Sequence, residues 1–317
     1  MAIRTVHPRL RWHHASASGT CRVTLQINAL RYGLHLQSSQ SRRGPATMPP
    51  RRINVVTVSP LSAPKSDSKP STITARDRNT NVAMAAPTTE APPTEFAVAL
   101  FEGFQALDAF GPLDTLNLLS RRDKDSNRKI SLSVLAATKD AVSTAAPDAH
   151  QTIEQWVLPT HTFDDAPDNI EVLIIPGGQG TRKPETTQPI VDFLHARFSK
   201  LRFVITICTG TVILSRAGLL NGVKATTNKC AFDWVVEASK EGSPKVEWVR
   251  RARWVDTGKI WTASGVTAGM DAMFAFVAQQ YGEDVAASIA ETQEYTRQTD
   301  PTNDPFSTID YTKLNVE

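Results

Sequence analysis

Short apolar runs alternate with longer helical patterns from Phe96 to the end of the chain, and this alternation limits the fold more than any other feature. Strands that are separated by helices pair in the same direction, so the pattern predicts a doubly wound α/β domain with a parallel sheet. The run at 201–207 is nearly all apolar, as a strand buried on both faces must be. We predict strands at 96–101, 130–136, 171–175, 201–207, 224–227, 252–255 and 260–263, and helices at 108–119, at 189–199, between 208 and 217, and from about 231, 267 and 283.

The first 95 residues differ in composition from the rest of the chain. They are rich in Ser, Thr, Pro and Arg and sustain no helix or strand period, so we expect a disordered basic leader at 1–95 and one domain at 96–317. No acidic residue precedes Pro60, which is typical of an organelle transit peptide. The alternative is a later translation start at Met84. We therefore expect a cytoplasmic protein, or a mitochondrial one if the leader directs import.

Charge and cysteine content exclude several classes of protein. Thirteen basic and four acidic residues lie in 1–95, which leaves 96–317 with a net charge of −6 within the overall +3. An acidic domain offers no surface for phosphate neutralisation, so we expect no nucleic-acid partner. No run reaches the roughly 18 apolar residues of a membrane span, so we expect no membrane partner. The three cysteines, Cys21, Cys208 and Cys230, form neither a disulfide framework nor a metal-binding spacing, and we expect no cofactor.

Cys208 is the strongest candidate for a catalytic residue, because it falls where the fourth strand stops and a helix begins. A nucleophile on such an elbow is held clear of the backbone, and the helix N-terminus is expected to lower the pKa of its thiol. Cys230 lies at a predicted helix start and Cys21 lies in the leader, and we interpret both as incidental. A small buried hydrophobic role is the alternative for any cysteine in an apolar strand.

A thiolate nucleophile needs a proton carrier, and the sequence offers no well-placed histidine. All seven histidines precede Cys208, whereas class I glutamine amidotransferases place their histidine after the cysteine. His195 falls on a predicted helix face toward solvent, while His150 and His161 fall in an irregular stretch and stay open as candidates. The site is therefore predicted to work without histidine.

A carboxylate near the end of the first strand is the remaining proton carrier. Asp108 begins the first helical pattern, where its alternative role is to cap the helix. Gly177 and Gly178 follow the third strand, and beside a thiolate their N–H groups are candidate donors to a developing negative charge. Parallel strands direct these loops to the same edge of the sheet, where ligands bind in doubly wound folds.

Four segments together resemble the ThiJ/PfpI (DJ-one) superfamily, in particular its isonitrile hydratase branch. They read FEGFQALDAFGPLDTL, EVLIIPGGQG, VITICTGTVILSRAGLLNGVKATTN and WTASGVTAGMDAMFAF, and the resemblance runs from about Phe96 to Phe306. It implies a flavodoxin-like doubly wound sandwich, related to class I glutamine amidotransferases, with a nucleophile elbow. It also implies a homodimer with a cofactor-independent site for a small-molecule substrate.

The resemblance assigns roles to individual residues. The elbow cysteine corresponds to Cys208, the threonine after it to Thr209, the acid of the LDxxGP motif to Asp108, and the oxyanion glycines to Gly177 and Gly178. Where relatives often have ATTHW, this chain has ATTNK, so Asn228 stands at a position expected to contact substrate. Thr209 also replaces the histidine of protease-like members, which argues against peptidase activity.

The implied reaction is the hydration of an isonitrile. Protonation of the isonitrile carbon by Asp108 lets Cys208 capture it as a thioimidate, and Asp108 then activates water to release an N-substituted formamide. Thr209 is expected to hold the water or the substrate nitrogen. We expect no transcription-regulator role, since no helix-turn-helix follows the domain. The alternatives are conversion of methylglyoxal-like aldehydes, a redox sensor at Cys208 and a binding-only protein. We expect residues 231–235, the loop after Gly178 and residues 159–167 to line the pocket.

Overall fold

The computed structural model describes residues 90–122, 129–146 and 150–313. The predicted leader lies outside the described residues up to position 89. The strands are β1 (Glu95–Ala99), β2 (Ser131–Ala136), β3 (Val142–Ser143), β4 (Trp156–Val157), β5 (His161–Thr162), β6 (Val172–Ile175), β7 (Phe203–Ile207), β8 (Lys224–Ala225), β9 (Glu247–Trp248), β10 (Trp254–Asp256) and β11 (Ile260–Ala263). The helices are α1 (Ala106–Arg122), α2 (Pro184–Arg197), α3 (Thr211–Arg216), α4 (Phe232–Ala238), α5 (Ala268–Tyr281) and α6 (Glu283–Thr292).

Seven strands form one central sheet in the order β10-β11-β7-β6-β1-β2-β5. Every neighbouring pair is parallel except β10 and β11, which form the antiparallel hairpin predicted around Asp256. The expected doubly wound, flavodoxin-like α/β architecture is therefore confirmed. Two small two-stranded sheets, β3 with β4 and β8 with β9, lie outside it.

The register of the three central strands fixes the position of the site. Val98 of β1 pairs with Ile174 of β6, and Ile174 pairs with Ile205 of β7. Because these strands are parallel and in register, their carboxyl ends meet at one edge of the sheet. The loops that follow β1, β6 and β7 therefore lie side by side.

The hydrophobic core is formed by the central sheet and the helices that pack on it. All four residues of β6 are buried, as expected for a strand covered on both faces. Phe276 of α5 makes edge-on ring contacts with Phe96, Phe203 and Trp261, at centroid distances of 6.5, 5.1 and 5.6 Å. Helices α1, α5 and α6 pack against one another, and α2 packs against α3. No helix among the described residues has the length and apolar character needed to cross a bilayer.

Local differences from the predicted elements have simple causes. Helix α2 begins at Pro184 rather than at Pro189, because Pro184 occupies the first-turn position where the missing N–H costs nothing. Pro189 then lies inside the helix. The strands β3, β4, β5 and β9 are two residues long each, so they produce no periodic signal and were not predicted.

Candidate active site

Cys208 lies where β7 ends, at the predicted elbow. Its φ is +58°, a left-handed conformation that residues with a side chain rarely adopt. Hydrogen bonds hold its backbone: the N–H donates to Ser264 O at 2.8 Å, and the carbonyl accepts from Thr227 Oγ1 at 2.8 Å and from Thr211 Oγ1 at 3.4 Å. A strained turn from strand to helix of this type is the geometry of a nucleophile elbow.

Asp108 lies in the first turn of α1 and is fully buried. Its Oδ2 accepts a hydrogen bond from Gly177 N at 2.9 Å, and the Cys208 thiol is close enough to donate to the carboxyl group. Its Oδ1 is buried and has no hydrogen-bond partner among the described residues. The structure therefore brings together the two side chains that the sequence analysis proposed as nucleophile and proton carrier.

Burial gives this carboxyl group an unusual proton affinity. Desolvation raises the pKa of Asp108 from 3.8 to about 7, although the N–H of Gly177 and the thiol of Cys208 act in the opposite direction. Asp108 is therefore close to half protonated at neutral pH, which suits a group that donates and accepts protons.

The predicted lowering of the Cys208 pKa is wrong. The residue is only 6% exposed, and burial, together with the charge of Asp108, raises the pKa of the thiol to about 12. The helix expected to stabilise the thiolate is weak, because Cys208–Gly210 form a 3-10 turn and α3 has only six residues. The resting sulfur is a neutral thiol.

Three groups nevertheless favour the charged sulfur. The main-chain N–H groups of Thr209 and Val266 and the side chain of Asn228 all hydrogen-bond the Cys208 sulfur, and each lowers its pKa. The same Asn228 side chain accepts a hydrogen bond from Ala231 N through Oδ1, at 3.1 Å. These three hydrogen-bond donors stabilise the thiolate and lower the free-energy cost of deprotonating Cys208 during a reaction.

The N–H groups of the two predicted oxyanion glycines are hydrogen-bonded within the site in this structure. Gly177 N donates to Asp108, and Gly178 N donates to Thr209 Oγ1 at 3.0 Å, so neither N–H is free in this structure. Gly178 has a φ of +138°, and a Cβ there would lie 2.2 Å from Gly103 O. The loops after β1 and β6 therefore contact each other backbone to backbone, and this contact positions Asp108.

Thr209 also differs from its predicted role. Its hydroxyl accepts from Gly178 N and from Thr181 Oγ1, at 3.0 Å each, and donates to Gly178 O at 3.3 Å. These contacts hold the loop after β6, and a contact of Thr209 with water or substrate stays a prediction. The sequence analysis missed Thr181, because its role depends on a contact between distant segments.

A buried network supports the elbow from behind. Lys229 Nζ donates to Thr226 Oγ1 at 2.9 Å and to Thr227 O at 3.2 Å, and it forms an ion pair with Asp304 Oδ2 at 3.3 Å. Asp304 Oδ2 also accepts from Ser264 Oγ at 2.9 Å. Asp304 thus links the two segments that hold the Cys208 carbonyl and N–H. Burial lowers the pKa of Lys229 to about 8. No sequence pattern predicted this network.

Two of the three segments predicted to line the pocket contact each other. The loop after Gly178 meets the 231–235 segment, where the guanidinium of Arg182 lies 4.0 Å from the ring centroid of Trp234. The 159–167 segment contains the edge strand β5, and its Phe163 lines a cavity of about 380 Å³ together with Phe101 and Glu102. That all three segments line one pocket stays a prediction.

The described histidines lie away from the elbow. His195 is exposed on α2, as predicted, and His161 lies on the edge strand β5. Neither makes a hydrogen bond to Cys208 or Asp108. Within the described residues, no group of three or more His, Cys, Asp or Glu side chains is placed to hold a metal ion.

Known proteins share this fold and sequence pattern. A Pseudomonas putida protein named isonitrile hydratase is 30% identical over 196 residues, which are 62% of this chain and 76% of that protein. The HTH-type transcriptional regulator GbdR of Pseudomonas aeruginosa is 30% identical over 209 residues, which are 65% of this chain and 52% of the regulator. This chain therefore spans about half the length of that second relative.

A crystal structure of a ThiJ/PfpI family protein from Pseudomonas syringae has the same fold. It matches with a TM-score of 0.53 at 24% identity, covering 68% of this chain and 84% of the other. The DJ-1/PfpI family matches residues 95–279, which is more than half of the chain. This match includes β1, the elbow and the loop after β6, and the chain belongs to the DJ-1/PfpI family.

Proposed function

We propose that this protein is an isonitrile hydratase-like hydro-lyase that adds water to an isonitrile and releases an N-substituted formamide. The observation that carries the proposal is the buried pair of Asp108 and Cys208, in which a carboxyl group with a pKa of about 7 contacts a strained cysteine. The named activity of the Pseudomonas putida relative supports the substrate class.

In the first step, the thiol of Cys208 adds across the terminal carbon of the isonitrile. The S–H proton passes to the Asp108 carboxylate and from there to the carbon, while a C–S bond forms to give a thioimidate. The N–H groups of Thr209 and Val266 and the Asn228 side chain stabilise the sulfur as it becomes anionic. This route differs from the sequence-based mechanism, because the proton starts on sulfur rather than on Asp108.

In the second step, Asp108 acts as the base for hydrolysis. Its carboxylate takes a proton from water, the water oxygen attacks the thioimidate carbon, and the nitrogen receives the proton. Collapse of the tetrahedral intermediate breaks the C–S bond, and the hydroxyl proton returns to sulfur. The sum is one isonitrile and one water converted to one formamide, with the thiol and carboxylate regenerated.

The pair must hold one proton for this cycle to start. Below about pH 7 both groups are protonated, and above about pH 12 both are ionised. The value of kcat/KM is therefore expected to rise through an acid limb near pH 7 and then to level off, whichever atom holds the single proton.

Three alternatives remain from the sequence analysis, namely a redox sensor, conversion of methylglyoxal-like aldehydes and a binding-only protein. A redox sensor needs an acidic, accessible thiol, and Cys208 has a raised pKa and little exposure, so the geometry favours catalysis. Conversion of methylglyoxal-like aldehydes ranks second, because the resemblance leads us to expect a histidine near the cysteine for that activity, and neither His161 nor His195 hydrogen-bonds Cys208.

The test is a panel of alkyl and aryl isonitriles, together with methylglyoxal, offered to the full chain. We expect formamide from at least one isonitrile, and we expect Cys208→Ala and Asp108→Asn to abolish it. Asp114→Asn, on the exposed side of α1, and Cys230→Ala are matched controls that should retain it. Lactate without formamide would favour the aldehyde reaction, and formamide production by Cys208→Ala would overturn the proposal.

We also propose that the protein forms a homodimer. Helix α1 exposes Leu107 and Phe110, which are 38% and 41% accessible, and a second copy would cover these apolar side chains. Light scattering of the full chain should give twice the monomer mass, and Phe110→Ser should shift it toward the monomer. A monomeric wild type would contradict this part of the proposal.

A further inference from the structure

Arg182 lies on the loop after β6, and its guanidinium forms no ion pair with any residue that the structure describes. The loop after β6 ends in a 3-10 turn, Gln179–Arg182. Within it, Thr181 Oγ1 donates to Gly178 O at 2.7 Å and lies within hydrogen-bonding distance of Thr209 Oγ1, at 3.0 Å. Arg182 therefore directly follows a residue that is hydrogen-bonded to the neighbour of Cys208.

The guanidinium of Arg182 is held in place by an aromatic ring. It lies 4.0 Å from the ring centroid of Trp234 on α4, a cation–π arrangement that limits its motion. The side chain reaches from the loop after β6 to the segment that follows Asn228. It therefore lies between two of the elements that surround the sulfur.

The absence of a carboxylate partner sets Arg182 apart from similar residues. Four other arginines in the described residues also lie over an aromatic ring, and each forms an ion pair: Arg197 with Asp168, Arg202 with Glu171, Arg250 with Asp233, and Arg297 with Glu283. In the same part of the chain, the guanidinium of Arg182 makes neither a hydrogen bond nor an ion pair. The cation therefore lies against the Trp234 ring, and its N–H groups have no hydrogen-bond partner among the described residues.

The surroundings of Arg182 act on its pKa in two directions. Partial burial lowers the pKa, and a negative charge that develops on the Cys208 sulfur acts in the opposite direction. The guanidinium stays protonated at any pH that the fold tolerates. A substrate that reaches Cys208 comes within range of this charge.

We propose that Arg182 binds a carboxylate group of the substrate while the reacting carbon faces Cys208. A planar guanidinium that lies on an indole keeps its N–H groups in one plane, and a carboxylate accepts two of them in parallel. This inference rests on the proposed function and narrows it to isonitriles that carry a carboxylate. The site would prefer such acids over their neutral esters.

The anion site is testable without any isonitrile. Iodoacetate and iodoacetamide alkylate thiols in the same way and differ in charge, so the ratio of their rates at Cys208 reports on a nearby cation. The rates are measured on the full chain by mass spectrometry of the Cys208 peptide. A change in thiol pKa affects both reagents equally and cancels from the ratio.

Arg182→Gln is expected to lower the iodoacetate to iodoacetamide ratio by about tenfold, the loss expected for one charge-assisted contact. Arg250→Gln is the matched control, since Arg250 also lies over an aromatic ring, at 4.1 Å, but is paired with Asp233. Its ratio should stay at the wild-type value. An unchanged ratio in Arg182→Gln, or an equal fall in both variants, would overturn the proposal.

A second measurement addresses the substrate itself. Isocyanoacetate and methyl isocyanoacetate differ only in the carboxylate, and the wild type should prefer the acid in kcat/KM. Arg182→Gln should reduce that preference by about tenfold. If neither compound is hydrated while the alkylation ratio behaves as expected, the hydratase function fails and the anion site stands. A wild-type preference for the ester would refute the carboxylate assignment.

Discussion

Replacement of Asp108 by asparagine is expected to make Cys208 more acidic and, at the same time, to abolish turnover. The charge of Asp108 is one of the two causes that raise the pKa of the thiol, and the variant removes it. The same variant removes the proton carrier that both proposed steps need. A variant with a more acidic thiol but no activity would show that the Asp108 carboxyl group takes part in the reaction. A carboxyl group that only activated the cysteine would not give this combination.

The size of the pKa change follows from the contact between the two groups. Two unit charges about 4 Å apart at an effective dielectric constant of about 20 interact by about 4 kcal/mol. That energy corresponds to at most about three pH units. Desolvation is the larger cause of the shift, so the thiol pKa is expected to fall only part of the way from about 12 toward the unperturbed 9.0.

The assay is the pH dependence of iodoacetamide alkylation, followed on full chains that carry Cys21→Ser and Cys230→Ser. Because the chain has three cysteines, Cys208 is then the only thiol. Asp114→Asn serves as the control, since it removes a carboxylate from the exposed side of the same helix and should leave the profile unchanged. A thiol pKa that stays near 12 in Asp108→Asn, or turnover above a tenth of the wild-type rate, would refute the reasoning.

Three further outcomes are expected. Gly178→Ala should lower the free energy of unfolding more than Gly222→Ala, measured by urea denaturation, since a Cβ meets backbone at 2.2 Å in the first case and open space in the second. Asp304→Asn should cost about 3–5 kcal/mol at pH 6, because it leaves the Lys229 charge buried without its carboxylate. That loss should shrink as the pH rises toward the wild-type Lys229 pKa of about 8, because Lys229 gives up its proton at a lower pH once the Asp304 charge is removed. The wild type should lose thermal stability relative to Asp108→Asn as pH rises from about 4 to about 7, since the raised pKa means that the folded state disfavours the ionised carboxyl.

The sequence located the nucleophile and its acid because both belong to local patterns. Cys208 follows an apolar strand and precedes a helix, and Asp108 begins a helical period after the first strand. The parallel order of strands then requires the two loops to meet at one edge of the sheet. Periodicity and motif spacing were therefore enough to predict the fold class and the pairing of Cys208 with Asp108.

The electrostatics of the site could not be predicted from the sequence. The direction of the Cys208 shift depends on how deeply the sulfur is buried and on the length of the helix behind it, and neither is encoded in a short motif. The occupied N–H groups of Gly177 and Gly178 depend on side chains that lie far along the chain. Contacts of this kind are set by tertiary packing. Pattern analysis therefore predicted free N–H groups at the two glycines, where the folded chain has N–H groups that are already hydrogen-bonded.

The ion pair of Lys229 with Asp304 has a consequence for any shortened version of this protein. The family match ends at residue 279, whereas Asp304, whose carboxylate contacts the segments on both sides of the elbow, comes later in the chain. A fragment trimmed to the family boundary would retain every residue of the reaction centre. It would nevertheless leave the Lys229 ammonium group buried behind Cys208 without its carboxylate partner. Trimming is therefore expected to abolish the reactivity of the sulfur although the cysteine is still present.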